Sequence, residues 1–260
     1  MDLSKAHHAF ITGGASGIGL GIADALAKRG VSITIADIDG DAVERVLKER
    51  PERFCGVKLD VRDRKAWAEA KATAERAFGP VDILVNNAGI APDGRALADM
   101  DPASFDLIIG INLVGVFNGI SAFGRDMRAR GNGHIVNTSS IMGLMAGVAT
   151  IGGYAASKSA VVALSEVLRQ EMAPHGVGVS VLCPGLVATS LRDSTAKVGG
   201  GLHPNAAMAE GGMDPAAAGE ITAKGIAENL PYILTHPEDW PGVEARMNVI
   251  RDAFLSARPA

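Results

Sequence analysis

Short runs of β-branched and other apolar residues alternate along the chain with longer segments in which apolar positions recur every three or four residues. That alternation is the mark of strand–helix–strand units feeding a parallel sheet. The apolar runs predict strands over residues 9–12, 32–36, 56–59, 83–86, 134–138 and 177–182. The helical period covers 18–29, 41–50, 64–78, 102–130 and 153–173, and several of these segments close on Gly or Pro, where a helix should stop. Beyond the sixth strand, 215–229 and 242–257 read as helices and 232–235 as a seventh strand. The expected fold class is α/β: a doubly wound, Rossmann-like parallel sheet.

Segment 186–213 breaks the rhythm. It is rich in Gly, Ala and Met, carries few charges, and is too long for an ordinary connector. It is predicted to be a helical lid over a substrate, and Leu186, Leu191, Val198, Leu202, Met208 and Met213 would give that lid an apolar lining. Helical amphipathicity explains some of these positions equally well.

Composition narrows the class. A chain of 260 residues, 47% hydrophobic and with a net charge of -4, can bury a sizeable core, and it is expected to form one domain over 1–260. No apolar run reads as a membrane span, and residues 1–8 carry Asp, Lys and His where a signal sequence needs apolar residues, so a cytoplasmic protein without a membrane partner is expected. There is no Lys/Arg cluster to suit a phosphate backbone, so nucleic acid is not expected as a partner. Cys55 and Cys183 lie in apolar, strand-like surroundings and read as reduced core fillers. The six histidines, His7, His8, His134, His175, His203 and His236, show no ligand spacing, so no metal site is expected.

Candidate chemistry begins directly after the first strand, with Thr12-Gly13-Gly14-Ala15-Ser16-Gly17-Ile18-Gly19 leading straight into a helix. A glycine-rich strand-to-helix turn lets backbone N–H groups and the positive helix end approach a pyrophosphate. Tight turns use glycine too, but this turn sits between the first strand and the first helix. The second strand ends at Asp37, eighteen positions beyond Gly19, where a carboxylate can accept both ribose hydroxyls and repel a 2′-phosphate. An N-cap role for Asp37 is the alternative, although Asp39 and Asp41 are better placed for it. No Arg or Lys stands in the glycine turn or just after Asp37, so the cofactor expected is NAD.

Tyr154 and Lys158 lie one helical turn apart on one face, so a cation can stabilise a phenolate and make Tyr154 an acid/base group. The fifth predicted strand ends in Asn137-Thr138-Ser139-Ser140, at the sheet edge where open α/β folds bind ligands. A hydroxyl there can hold a substrate oxygen. Alone, a Tyr four residues before a Lys is more often a solvated pair.

The ordered set TGGASGIG (12–19), LDV (59–61), NNAG (86–89), INLVG (111–115), IVNTSS (135–140), YAASK (154–158) and CPGLVAT (183–189) resembles the short-chain dehydrogenases/reductases over roughly residues 10–189. The resemblance implies Ser140 as holder of the substrate oxygen rather than Ser139, Tyr154 as acid/base, Lys158 as pKa tuner and ribose ligand, and Asn112 as support for a proton relay. It implies cofactor contacts at Gly13, Ser16, Gly17, Ile18, Gly19, Asp37, Ile38, Asp60, Val61, Asn87, Ala88, Gly89, Tyr154, Lys158, Pro184, Gly185, Val187 and Thr189. Plainer readings stand beside these: Asn112 could cap or kink a helix, and Pro184-Gly185 could be a simple turn.

The implied activity is NAD-dependent interconversion of a secondary alcohol and a ketone. The substrate is expected to be apolar or aromatic, with benzylic alcohols suggested by the similarity of 111–120 and 229–238 to bacterial members that oxidise lignin-derived aryl compounds. The alternatives are a 3-ketoacyl-carrier-protein reductase, against which Asp37 argues, and a non-catalytic NAD-sensing protein. A homodimer or homotetramer is implied as well. Two departures from the family pattern stand out. Ser140 and Tyr154 are separated by fourteen positions where thirteen is commoner, and the segment 229–260 lacks the VDGG-like stretch usual near the last strand.

Overall fold

The computed structural model describes residues 1–201 and 211–257. Seven strands, β1 (His8–Thr12), β2 (Ser32–Asp37), β3 (Phe54–Lys58), β4 (Ile83–Asn86), β5 (Gly133–Thr138), β6 (Val177–Cys183) and β7 (Tyr232–Leu234), form one sheet in the order β3-β2-β1-β4-β5-β6-β7. Every pairing is parallel. Every residue of β1, β4 and β5 is buried, which explains why these strands read as continuous apolar runs: helices cover both faces.

Successive side chains enter opposite layers. Ile11, Ile33, Ile35 and Val85 pack with Ile22 and Leu26 of α1 (Gly17–Ala27) and Ile226 of α9 (Pro215–Ala227). Phe10, Leu84 and Ile135 pack on the other face with Trp67 of α3 (Arg64–Phe78) and with Phe123 and Met127 of α5 (Gly115–Arg130). Two histidines inside strands are absorbed by neighbouring hydroxyls, His8 Nε2 at 2.9 Å from Thr34 Oγ1 and His134 Nε2 at 2.9 Å from Ser180 Oγ. Burial pushes the His134 imidazole down to about 3, so it stays uncharged.

Two expectations change, and one element is found that none foresaw. The helix expected over 102–130 is continuous, but α4 (Pro102–Ile109) passes into α5 through a five-residue π-helical turn, Gly110–Val114, which places Asn112 fully inside the protein. The same stretch carries an 18-residue window of mean hydropathy 1.8, contrary to the expectation that no run resembles a membrane span; half of that window is buried, as a helix packed on a sheet requires. The loop before α7 (Gly152–Met172) also contains a short helix, α6 (Ile141–Met145), which sequence periodicity could not register because one turn shows no period.

Within the predicted lid, α8 (Leu191–Lys197) is helical, and Val187 forms a parallel bridge with Met213. Leu202, Met208 and His203 lie outside the described residues. Asp39 caps α2 (Gly40–Glu49) by accepting the Ala42 N–H at 3.0 Å, which releases Asp37 from that role.

The helix that opens the glycine turn is seated by a glycine seam. A Cβ at Gly21 would stand 2.1 Å from the Pro215 carbonyl oxygen, and one at Gly219 would stand 2.1 Å from the Gly21 carbonyl oxygen. Backbone meets backbone there, so no side-chain rotation can relieve an added methyl. Gly219→Ala is expected to destabilise the protein by about 2 kcal/mol or more, read as a lowered midpoint in urea unfolding followed by circular dichroism.

Candidate active site

The order of strands reverses between β1 and β4, and the chain leaves their carboxyl ends in opposite directions, opening a crevice. Thr12, the last residue of β1, organises its rim. Its Oγ1 accepts the N–H groups of Asn87 (2.9 Å) and Ala88 (3.0 Å). Asn87 Nδ2 in turn donates to the carbonyls of Thr12 (3.1 Å) and Gly13 (3.3 Å), tying the glycine turn to the loop after β4.

Gly13 and Gly17 hold φ of 61° and 53°, and a Cβ at Gly13 would stand 3.0 Å from Ala88 Cα. Glycine is demanded at these two positions by conformation and by crowding. Ser16 is the N-cap of α1 by backbone, yet its side chain accepts no bond from the helix, so the first-turn amides face the cleft without a protein cap. That arrangement fits the phosphates of a dinucleotide.

Asp37 ends β2 half-buried, its Oδ2 accepting the Ala15 N–H at 3.2 Å and its Oδ1 accepting the Asp39 N–H at 3.1 Å. Burial raises its pKa above the usual carboxylate value, while those N–H groups oppose the rise. Asp60 pairs with Arg62 (2.6 Å), whose guanidinium holds its carboxyl below the usual range. A cation invisible to local sequence also arrives: Lys197 of α8 donates to Asp39 at 2.6 Å, next to the Asp37 carboxylate.

At the other end of the crevice, α7 presents Tyr154 and Lys158. Lys158 is only 4% exposed; its Nζ donates to the Thr138 carbonyl at 3.0 Å and lies 5.7 Å from the Tyr154 ring centre. Desolvation lowers its pKa to about 8. The Tyr154 phenol is raised above its ordinary value by burial, and the Ser140 hydroxyl opposes that by hydrogen bonding to it. The Lys158 ammonium, 5.7 Å from the ring centre, is engaged by the Thr138 carbonyl, so burial and the Ser140 hydroxyl are the influences that act on the phenol in this arrangement.

Asn112, at the π-helical turn, accepts the Ile90 N–H (2.8 Å) and donates to the Ile90 carbonyl (3.1 Å) and Ser157 Oγ (3.3 Å). Its Oδ1 also lies against Gly89, where a Cβ would meet it at 3.2 Å and Lys158 Nζ at 3.4 Å. Cys183 stands behind Lys158 and Ser139 as a neutral thiol, its pKa pushed up to about 12 by burial.

One cleft of about 660 Å³ brings together every predicted catalytic and cofactor residue except Gly19 and Asn112, together with Leu186, Leu191 and Val198 of the predicted lid but not Met213. Gly19 instead lets α1 close on the turn, since a Cβ there would stand 2.1 Å from the Gly13 carbonyl oxygen. Asn112 acts one layer behind, through Ile90. Ile90, Ala91, Pro92 and Arg192 line the cleft without having been foreseen. The first three follow NNAG directly and could have been read by extending that motif along its loop. Arg192 carried no such signal.

Lys158→Met should be more stable than the parent at pH 7, by on the order of 1 kcal/mol, because a desolvated ammonium is removed at the cost of one carbonyl bond. The folded value of about 8 lies below the ordinary 10.5, so the unfolded chain binds more protons between those limits and parent stability rises with pH across them. The variant's advantage should therefore shrink from pH 8 to 10.5, as followed by thermal melts; an advantage constant across that window would contradict the assignment.

A family profile described as short chain dehydrogenase matches residues 7–198. A C alpha-dehydrogenase from Sphingobium sp. strain SYK-6 is 36% identical over 94% of this chain and 85% of its own length. The crystal structure of LigD in its apo form, from the same strain, has a TM-score of 0.83 at 35% identity and covers 98% of each chain. A short chain dehydrogenase/reductase from Burkholderia phymatum, solved in complex with NAD, has a TM-score of 0.88 at 31% identity, covering 100% of this chain and 98% of that one. With the glycine turn, the NNAG loop and the Ser140–Tyr154–Lys158 cluster on one sheet edge, and with these matches over nearly its whole length, the chain belongs to the short-chain dehydrogenase/reductase family of oxidoreductases.

Proposed function

We propose that the protein is an NAD-dependent dehydrogenase of secondary alcohols, acting in reverse as a ketone reductase, on an apolar or aromatic substrate such as a benzylic alcohol. The observation that carries this reading is the convergence of Ser140, Tyr154 and Lys158 on a cleft that also holds the glycine turn and Asp37. The relative named a C alpha-dehydrogenase supports oxidation at a carbon centre, and the Burkholderia neighbour solved with NAD supports that cofactor. Leu186, Leu191, Val198 and Ile90 give the cleft an apolar lining.

When bound, a nicotinamide would supply the hydride acceptor. Ser140 Oγ orients the substrate oxygen. Tyr154 takes the hydroxyl proton during oxidation and returns it to the carbonyl oxygen during reduction. Lys158, within the same dry pocket, steadies the negative charge that forms on the phenol. Asn112 fixes the Ile90 loop opposite, which keeps the wall of the pocket from shifting. Asp37 is positioned by two N–H groups to accept ribose hydroxyls, and the nearby Lys197 is already committed to Asp39, so a 2′-phosphate would meet net negative charge.

A panel of aryl, steroidal and aliphatic secondary alcohols, run with NAD and with NADP, tests the reading through absorbance of the reduced cofactor. Turnover with NAD on aryl alcohols is expected, and Tyr154→Phe should cut it by roughly three orders of magnitude. NADH binding should stay within about threefold of the parent, since the phenol contributes little to the ground-state complex. Near-parental turnover by that variant would sink the assignment.

We also infer assembly into a homo-oligomer. In α10 (Trp240–Ser256) only Val243 is buried, while Met247, Val249, Ile250, Phe254 and Leu255 are exposed. Sedimentation should give a dimer or larger, and Phe254→Glu should shift the protein toward monomer. A parent sedimenting as a monomer would refute this.

A further inference from the structure

The C-terminal segment lies beyond the family match at 7–198, and it reaches the substrate side of the cleft from behind at two points. Thr235 Oγ1 accepts the Gly185 N–H at 3.0 Å and lies 2.6 Å from His236 Nδ1, so it can accept from one and donate to the other. Further along, Arg246 Nη1 donates to the Leu144 carbonyl at 2.7 Å and the Gly143 carbonyl at 3.3 Å, at the carboxyl end of α6. Gly242, one helical turn earlier on α10, is covered by Met145; a Cβ there would stand 2.2 Å from Met145 Cε.

The importance of the second point comes from the other end of α6. Ser140 is its N-cap and accepts the Met142 N–H at 3.2 Å, with Ile141 N–H bonded to the Pro184 carbonyl at 2.8 Å. A helix of five residues is far shorter than one that holds itself in water; just beyond it the Ala146 N–H reaches the Met142 carbonyl at 3.1 Å and the Gly147 N–H the Met145 carbonyl at 2.8 Å, which leaves the Gly143 and Leu144 carbonyls to side chains. Among the described residues, the side-chain donors to those carbonyls are Ser159 Oγ, on Gly143 at 2.8 Å, and Arg246. A guanidinium at that end also opposes the negative pole of the turn. If α6 frays from its carboxyl end, the Met142 N–H leaves Ser140, and the serine rotamer is no longer held beside the Tyr154 phenol.

We propose that Arg246 is a positioning residue for the reaction: by closing the carboxyl end of α6 from the C-terminal helix, it holds Ser140 in place toward Tyr154. This rests on the dehydrogenase reading above and assigns to the divergent tail a part in the same site.

The test compares the parent with Arg246→Ala and Arg246→Lys. It measures kcat and KM on the best alcohol of the panel, NADH affinity by fluorescence, and amide hydrogen exchange. Arg246→Ala should lower kcat about tenfold, as loss of orientation does, with NADH affinity held within about twofold. Exchange over 141–146 should quicken while the sheet stays protected, and Arg246→Lys, which can still reach one carbonyl, should recover most of the kcat. Parental kcat and KM in Arg246→Ala would overturn the proposal. So would a loss matched by weaker NADH binding or by uniformly faster exchange, because either signals general loosening. If the parent itself oxidises no alcohol, the dehydrogenase reading fails on its own account, and unchanged exchange over 141–146 would still refute the role of Arg246.

Discussion

The ammonium of Lys158 is almost cut off from water and, among the described residues, is held by the Thr138 backbone carbonyl at the end of β5. Burying a cation with so few partners is costly, and the surrounding structure is arranged to sustain it. The Lys158 carbonyl accepts the Ser139 hydroxyl at 2.7 Å, which locks α7 to the end of β5. Gly143 of α6 comes down on the same carbonyl so closely that a Cβ would stand 2.8 Å from its oxygen. Gly89 leaves room for the ammonium from the opposite side. A desolvated cation beside a desolvated phenol is an unfavourable ground state, and it is the kind of arrangement in which a proton and a negative charge can be handled without interference from solvent.

The second constraint is the divergence of the chain after β1 and β4. It turns one sheet edge into a crevice, and the two loops that leave it must be held apart yet fixed to each other. Thr12 and Asn87 do this through four short polar contacts around the glycine turn. The backbone amides of the turn thereby stay directed at the cleft, and the glycines serve two separate needs. Gly13 and Gly17 meet a conformational demand, whereas Gly19, Gly21 and Gly219 allow helices and backbone to approach closely. A single sequence pattern thus combines residues that face a ligand with residues that only permit packing.

The tail supplies what the sheet edge lacks. β7 extends the sheet by three residues, and the turn that follows brings Thr235 under Gly185 and α10 against α6. Most of the apolar surface of α10 remains uncovered within one chain, so the same helix that packs behind α6 also carries an exposed apolar face.

Strand and helix order, the parallel sheet and most of the cleft were legible in the sequence, because each depends on contacts between near neighbours or on a fixed local spacing. The 3.6-residue period, the glycine turn, Asp37 at the end of a strand, and the Tyr154 to Lys158 spacing all declare themselves within a few residues. The π-helical turn at 110–114 escaped, since one added residue per turn barely disturbs the apolar pattern, and α6 escaped because it is a single turn. The arrival of Lys197 beside Asp39, the retreat of Asn112 behind Ile90 and the reach of Arg246 to Leu144 join residues 22 to 158 positions apart, and no local rule encodes them. The surroundings of the central pair were decided there as well. Spacing alone put a lysine beside its tyrosine; the packing removed water from both and gave the ammonium a carbonyl, and desolvation depends on everything folded around a group rather than on the residues beside it in the chain.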